Sequence, residues 1–214
     1  MIVYGSTLSP YVRKVMAFIA EKGLEAELKP AGMGRGGPEF EAASPFRKMP
    51  AFSDGAYTLC DSSAIVAYLE ARHPEPNLIP NEAKARGRAI WFDEFADTIV
   101  AAAGGKLFFN RFVAPKVLKI AGDEAVAAAA EANELPVLLD YLETQIPQSG
   151  FLVDDRMTIA DVAVASPFAN LAHIGVVIDA AKYPKTAGYV EAILARPSFA
   201  PLIAAETKIV AAMS

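Results

Sequence analysis

The sequence predicts an α+β domain at the amino terminus, followed by a domain made only of helices. Short apolar runs alternate with helical patterns through residues 1–73, and a linker with three prolines then follows at residues 74–82. Residues 83–214 contain helical patterns and no convincing strand. Of the 214 residues, 53% are hydrophobic and 21% are charged, a composition typical of folded chains rather than disordered ones.

The chain opens with a predicted strand and helix. The apolar run at residues 2–4 is short and β-branched, as in buried strands. Pro10 suits the first turn of a helix, because its missing N–H would have no partner there, and Ser9 before it is a preferred N-cap. Gly23 is typical of the left-handed position at which helices end. The apolar face of this helix consists of Val12, Val15, Met16, Ile19 and Ala20.

A second strand is predicted at residues 25–29, ahead of a glycine-rich run at residues 32–37 that matches G-x-G-x-x-G. In dinucleotide-binding folds this motif lies between a strand and a long helix. Too few residues separate Gly37 from Pro45 for such a helix, so the run is interpreted as a surface loop.

A hairpin is predicted next. The dipeptide Asp54-Gly55 suits a tight turn in which both residues have positive φ, and short apolar runs flank it at residues 51–53 and 56–59. Residues 61–63 then carry the signals of a helix start. The apolar side of that helix consists of Ile65, Tyr68 and Leu69.

The second domain is predicted from helical periodicity alone. One long pattern covers residues 83–112, with Gly104-Gly105 as a candidate break. Thr158 and Asp161 have the spacing of a capping box, which we expect to satisfy a buried helix end. Pro136 is expected early in a helix or at a kink. The remaining helices are predicted at residues 135–146, 158–171, 182–196 and 199–213.

Composition argues against several classes of protein. The net charge of −5 disfavours a nucleic-acid partner. The single cysteine, Cys60, permits no internal disulfide or cysteine-rich metal site, and we expect it to be buried and unreactive. His73 and His173 are far apart in sequence, so no metal is assigned. A reducing cytoplasm fits this cysteine usage, and no apolar run approaches the length of a membrane span.

Two local features indicate a ligand site. Asp61 and Ser62 at a helix start are ordinary caps in one interpretation. In the other, the free amides and the Ser62 hydroxyl bind a carboxylate while Asp61 accepts an ammonium group, which together describe an α-amino acid head. Met49-Pro50, just before the hairpin, suggests a cis peptide bond. The Met49 N–H and C=O would then be free to pair with a peptide-like ligand as an added strand.

Four motifs, in order along the whole chain, resemble those of the cytosolic glutathione transferase superfamily. Residues 9–12, Ser-Pro-Tyr-Val, lie where glutaredoxins carry C-P-Y-C and are similar to the Ser-type tau and theta classes, in a bacterial-type member. Residues 61–65 resemble the γ-glutamyl-binding motif E/D-S-x-A-I, and residues 158–161 resemble the capping box of the family's sixth helix. Residues 44–50 resemble N-P-x-G-K-V-P, with departures at Ser44, Arg47 and Met49.

The resemblance implies a thioredoxin-like, glutathione-binding first domain and a role for each matched residue. Ser9 would donate its hydroxyl to the glutathione sulfur and stabilise the thiolate, with Ser6 as the rival donor. The other implied contacts are Met49 and Pro50 with the cysteinyl part, Lys48 with the glycyl carboxylate, and Asp61 and Ser62 with the γ-glutamyl head.

The implied activity is conjugation of reduced glutathione to a hydrophobic electrophile, by a cytoplasmic homodimer without a metal. A specialised glutathione-dependent isomerase, dehalogenase or peroxidase is the alternative among enzymes, and a non-catalytic binding module is the alternative outside them. The second substrate would lie between the domains. Its candidate contacts are Leu8, Tyr11, Phe108, Arg111 and Phe112. For the aromatic residues among them, packing in the core is the competing interpretation.

Overall fold

A computed structural model describes residues 1–32 and 35–213 of the chain. It confirms the predicted fold class, an α+β domain followed by helices. The four strands all precede residue 61, and the elements from residue 83 onward are helical. Met33 and Gly34, in the middle of the glycine-rich run, lie outside the described residues, so the surface-loop interpretation of that run stays a prediction.

A four-stranded mixed sheet forms the first domain, in the order β2-β1-β3-β4. Strand β1 pairs in parallel with β2 and antiparallel with β3, and β3 pairs antiparallel with β4. Strand β2 begins two residues later than the sequence predicts. The strands are β1 (Ile2–Tyr4), β2 (Glu27–Lys29), β3 (Ala51–Asp54) and β4 (Tyr57–Cys60).

Helix α1 (Pro10–Glu21) makes the crossover between the two parallel strands. It ends where the sequence predicts, at Gly23, whose φ is +67°. The amide of Gly23 donates to the Ala20 carbonyl at 2.9 Å, and the next amide along the chain donates to the Ile19 carbonyl at 3.0 Å. These two bonds satisfy carbonyl groups that the helix end would leave without partners.

Helix α2 (Gly37–Ala43) is missing from the sequence prediction, which treated this stretch as loop. Its seven residues are too few to show a helical period. Pro38 occupies the first turn, and Phe40 is buried with its ring 6.5 Å from the ring of Tyr4. Packing of one aromatic side chain onto the sheet therefore decides the conformation here.

The predicted hairpin is present, but its turn lies one residue later than predicted. Asp54 pairs with Tyr57, so the turn residues are Gly55-Ala56. Gly55 has a φ of +60°, and glycine at the first turn position is the preference of a type II′ turn rather than the expected Asp-Gly turn. Helix α3 (Ser62–Arg72) follows directly, with Asp61 as its N-cap.

The second domain is a bundle of helices, several of which contain π-helical stretches. These stretches cover Phe95–Val100, Phe109–Leu118 and Ala130–Glu134. The α-helices are α4 (Ala83–Glu94), α5 (Ala101–Phe108), α6 (Glu124–Ala129), α7 (Leu135–Gln145), α8 (Ile159–His173), α9 (Pro184–Leu194) and α10 (Ala200–Met213).

The candidate break at Gly104-Gly105 is wrong, because helical structure continues through both residues inside α5. A glycine costs a helix only about 1 kcal/mol relative to alanine. Gly104 is buried against Leu171 of α8, and this packing outweighs the low propensity. Among the residues described, no helix is long and apolar enough to cross a membrane.

Helix α8 lies at the centre of the molecule, and residues 159–171 are all buried. It packs against α1 on one side and against α4, α5 and α9 of the bundle. The predicted capping box forms at its start. The Thr158 amide donates to Asp161 Oδ2 at 3.0 Å, and the Leu152 amide donates to Asp161 Oδ1 at 2.9 Å. The helix thereby satisfies its buried amino-terminal end.

Candidate active site

Two cavities open side by side between the sheet domain and the helices, and Met49 lines both. The first, of about 560 Å³, lies between loop 44–50, the start of α3 and Asp97, and we call it the polar cavity. The second, of about 420 Å³, lies between the Ser9 loop, the Phe109–Leu118 stretch and the end of α10, and we call it the apolar cavity.

The start of α3 supplies two of the predicted ligand-binding residues to the polar cavity. Asp61 has a φ of 84°, and its carboxylate accepts the Ala64 amide at 3.0 Å. Ser62 is buried, and its hydroxyl donates to Asp97 Oδ2 at 3.0 Å. Both side chains therefore line the cavity while also making contacts within the protein.

A buried lysine, Lys14, bonds the same Asp97 carboxylate as Ser62. The Lys14 ammonium donates to Asp93 Oδ1 at 2.8 Å and to Asp97 Oδ2 at 2.6 Å, and it also donates to the Ser63 hydroxyl at 3.1 Å. Burial raises the pKa of Asp97 above its usual value, an effect that Lys14 offsets only in part. The sequence prediction did not include this cluster. Asp93 and Asp97 are four apart in a long helical pattern, and this spacing of like charges on one helix face was a signal for it.

Loop 44–50 presents backbone groups to the cavities. The Met49–Pro50 peptide bond is cis, as predicted. The Ser44 hydroxyl accepts the Lys48 amide at 3.0 Å and donates to the Lys48 carbonyl at 2.7 Å, so serine organises the loop despite its departure from the family motif. Lys48 is exposed at the polar cavity. Within the described residues, the Met49 amide has no hydrogen-bond acceptor.

Ser9 lines the apolar cavity together with Ser6. It occupies the N-cap position of α1, as predicted, although its hydroxyl makes no capping bond. The Ser6 hydroxyl accepts the Leu8 amide at 3.4 Å, which is a long contact. Within the described part of the chain, the half-buried Ser9 hydroxyl has no partner.

Three of the five candidate second-substrate residues meet at the apolar cavity. They are Leu8, Phe108 and Phe112, and the two rings stack with centroids 5.0 Å apart. The Phe109–Leu118 stretch and helix α10 reach this cavity only when the chain folds, so their other lining residues could not be predicted from the sequence. These residues are Val113, Val117, Leu118, Ile209 and Met213. The sequence prediction also missed Arg35, the one charged residue among those described along this cavity.

Arg111 lies outside both cavities, which contradicts its predicted place. Its guanidinium pairs with Glu124 at 2.6 Å and with Glu131 at 2.7 Å. Tyr11 lines the polar cavity instead of the apolar one, and its hydroxyl donates to the Asp97 carbonyl at 3.1 Å. Burial, and to a lesser extent Asp97, raises the pKa of Tyr11.

Cys60 is half-buried and lines the polar cavity, so the expectation of a fully buried thiol is wrong. The last residue of β4 has its side chain at the domain edge, which the sequence pattern did not show. Among the residues described, no three His, Cys, Asp or Glu side chains come together as a group that would hold a metal ion.

Comparison with known proteins supports one family across the chain. Residues 3–77 match the family model "Glutathione S-transferase, N-terminal domain", and residues 106–197 match "Glutathione S-transferase, C-terminal domain". The chain is similar to a solved glutathione S-transferase from Rhodospirillum rubrum F11, with a TM-score of 0.86 and 26% identity over 94% of this chain and 90% of that one. The thioredoxin-like character of the first domain is thereby confirmed.

Curated relatives are similar over nearly the whole length. Glutathione S-transferase 3 of Zea mays is 32% identical, over 95% of this chain and 93% of its own length. A glutathione S-transferase of Hyoscyamus muticus is 30% identical, over 95% of this chain and 97% of its own. With both domain models matched and relatives at this level of identity, the chain belongs to the glutathione S-transferase family.

Proposed function

We propose that the protein conjugates reduced glutathione to hydrophobic electrophiles and that the Ser9 hydroxyl stabilises the glutathione thiolate. The observation that carries this proposal is the meeting of a polar and an apolar cavity at Met49. A polar peptide can lie in one cavity while its thiol reaches an apolar partner in the other. The Ser9 hydroxyl lies on the apolar side of that junction.

Glutathione fits the polar cavity by its charges. We propose that its γ-glutamyl carboxylate binds the first amides of α3 and the Ser62 hydroxyl, as helix amino termini favour anions. Asp61 and Asp97 line the same cavity and suit the ammonium group. The free Met49 amide suits the cysteinyl carbonyl as an added strand, with Pro50 holding that turn, and the exposed Lys48 suits the glycyl carboxylate.

The energetics of the thiolate support a neutral hydroxyl donor. A free thiol has a pKa of about 8.5, so little of it is ionised at neutral pH. Lowering this pKa by about two units requires about 2.7 kcal/mol in favour of the charged form. A hydrogen bond to a charged group contributes about 1.5–3 kcal/mol, and a helix amino terminus contributes about 0.3–1 kcal/mol. Ser9 at the start of α1 combines both.

We propose that the electrophile binds in the apolar cavity, against Leu8, Phe108 and Phe112. We also propose a cytoplasmic homodimer of the Ser-type group. Exposed apolar side chains near the cavities and on α4 support self-association, namely Phe46 at 82%, Ile90 at 39% and Trp91 at 45% exposed.

The test of Ser9 is the variant Ser9→Ala. We expect the pKa of enzyme-bound glutathione to rise and turnover to fall roughly 10- to 100-fold, which corresponds to the loss of one hydrogen bond to a charged group. The dissociation constant of glutathione should change little, because Ser9 contacts only the sulfur. Ultraviolet absorbance of the thiolate, titrated against pH, measures the first effect.

Ser6→Ala is the matched control, since Ser6 lines the same cavity. It should leave the bound thiol's pKa near the wild-type value. The reverse outcome, a silent Ser9→Ala and a shifted Ser6→Ala, would transfer the role to Ser6. No retention of the wild-type protein on immobilised glutathione would favour a non-catalytic module.

A further inference from the structure

Two side chains of α8 hold the backbone on either side of Ser9. The Ser166 hydroxyl donates to the Pro10 carbonyl at 2.7 Å, and the Asn170 amide group donates to the Leu8 carbonyl at 2.8 Å. Ser166 and Asn170 are one helical turn apart and are 1% and 4% exposed. The loop that carries Ser9 is therefore attached to the second domain at two points, one on each side of the serine.

The orientation of Asn170 is fixed by a third residue. Arg13 donates from Nη1 to Asn170 Oδ1 at 2.9 Å and to the Ser166 carbonyl at 2.6 Å. A guanidinium only donates, so Oδ1 must face Arg13 and the NH₂ group must face Leu8. Arg13 is in turn paired with the buried Glu206 of α10 at 2.7 Å. All four side chains of this network, those of Arg13, Ser166, Asn170 and Glu206, are buried.

The buried stretch of α8 holds few polar side chains, and two of the three bond to this loop. In the buried stretch 159–171, only Asp161, Ser166 and Asn170 are polar. Asp161 serves the capping box, while both of the others bond carbonyl oxygens of the segment Leu8–Pro10. Buried polar groups are costly unless they are bonded, and these two side chains find their partners in the segment that carries Ser9.

We propose that Ser166 and Asn170 are positioning residues for catalysis, which set where the Ser9 hydroxyl lies relative to the bound thiolate; this inference rests on the proposed function. The Ser9 hydroxyl has no partner of its own among the described residues, so the backbone of residues 8–10 sets the Cβ atom from which that hydroxyl extends. A donor displaced by a fraction of an ångström stabilises the thiolate less well.

The experiment uses Ser166→Ala, which removes one oxygen, and Asn170→Asp, which keeps the acceptor for Arg13 and removes the donor to Leu8. We expect each full-length variant to raise the apparent pKa of bound glutathione by about half a unit, roughly a threefold fall in the acid dissociation constant of the thiol. Glutathione affinity should stay close to the wild-type value. Ser198→Ala is the matched control, because Ser198 is also buried and its hydroxyl donates to Glu21, far from Ser9 in the contact network.

A double variant separates positioning from a general effect on the fold. If Ser166 acts through Ser9, adding Ser166→Ala to Ser9→Ala should shift the thiol pKa no further, because coupled residues are not additive. The same increment in both backgrounds, or an unchanged pKa in both Ser166→Ala and Asn170→Asp, would overturn the inference while leaving the role of Ser9 intact. A silent Ser9→Ala would overturn the proposed role of Ser9 and the inference with it.

Discussion

Among single residues, Asp97 organises the polar cavity. Its Oδ2 accepts bonds from Lys14 at 2.6 Å and from Ser62 at 3.0 Å. A ligand carboxylate must therefore compete with Asp97 for the Ser62 hydroxyl, while a ligand ammonium finds two acids, Asp61 and Asp97, along the same wall. This arrangement favours a ligand that carries both charges over a simple anion.

Ser62→Ala should weaken glutathione binding by roughly tenfold or more, since it removes a hydrogen bond to a charged group, worth about 1.5–3 kcal/mol. The bound thiol's pKa should remain unchanged, because Ser62 is assigned to the γ-glutamyl head. Isothermal titration of the variant measures the affinity. Ser63→Ala is the control, since its hydroxyl faces Asp93 at 2.8 Å, and it should lower stability with little effect on affinity. An unchanged dissociation constant for Ser62→Ala would remove this residue from the site.

Site residues that belong to one local motif were predictable, and residues from distant segments were not. Ser62 and Met49 follow from a helix start and a cis-proline turn, which a few neighbouring residues determine. Asp97 and Met213 line the cavities only because the helical domain folds back onto the sheet. Arg111 was misassigned because its place in a helical pattern does not reveal that Glu124 is available as its partner.

Among elements, α8 connects the two domains. Its predicted capping box and length agree with the structure because capping signals are local and strong. The buried setting of Asp161 was not predictable from those signals. Burial raises the pKa of Asp161 to about 6, against the hydrogen bonds that favour its charged form.

Asp161→Asn should destabilise the protein by about 1–3 kcal/mol, because the amide nitrogen cannot accept the bonds that the carboxylate receives. A pKa that is higher in the folded state means that the folded state binds a proton more tightly between about pH 4 and pH 6. Wild-type stability therefore falls relative to the non-titrating variant as the pH rises through that window. Chemical unfolding at about pH 5 and about pH 7 should show a smaller difference between the two proteins at the higher pH, and a larger one would contradict the raised pKa.

At the scale of the whole molecule, α1 makes ion pairs that connect the first domain to the second. Arg13 pairs with Glu206 of α10, Lys14 pairs with Asp93 of α4, and Glu21 pairs with Arg196 beyond α9. The sequence predicted only the apolar face of α1. Arg13 and Lys14 were not predicted to be buried, because charged residues in a helix ordinarily face the solvent. Partners from α4, α8 and α10 allow Arg13 and Lys14 to be fully buried.

Glu206→Gln should therefore destabilise the whole fold, by about 3 kcal/mol, because removing one partner leaves the Arg13 charge buried and poorly compensated. Burial alone would raise the pKa of Glu206, but hydrogen bonds from His173 and Arg13 hold that pKa below its usual value. Because the pKa of Glu206 is lower in the folded protein, its carboxylate stabilises the fold at pH values above the pKa of the unfolded state, near 4.5. This stability is lost as the pH falls through the pKa of the folded state.

The cost of Glu206→Gln should accordingly be full at neutral pH and shrink in acid, where the wild-type carboxylate is protonated too. Denaturant unfolding across this pH range measures it. Lys106→Gln is the control, because its pair with Glu134 is 45% and 42% exposed and should be worth less than about 1 kcal/mol. Equal effects of the two substitutions at neutral pH would mean that the α10 ion pair contributes no more than a surface contact.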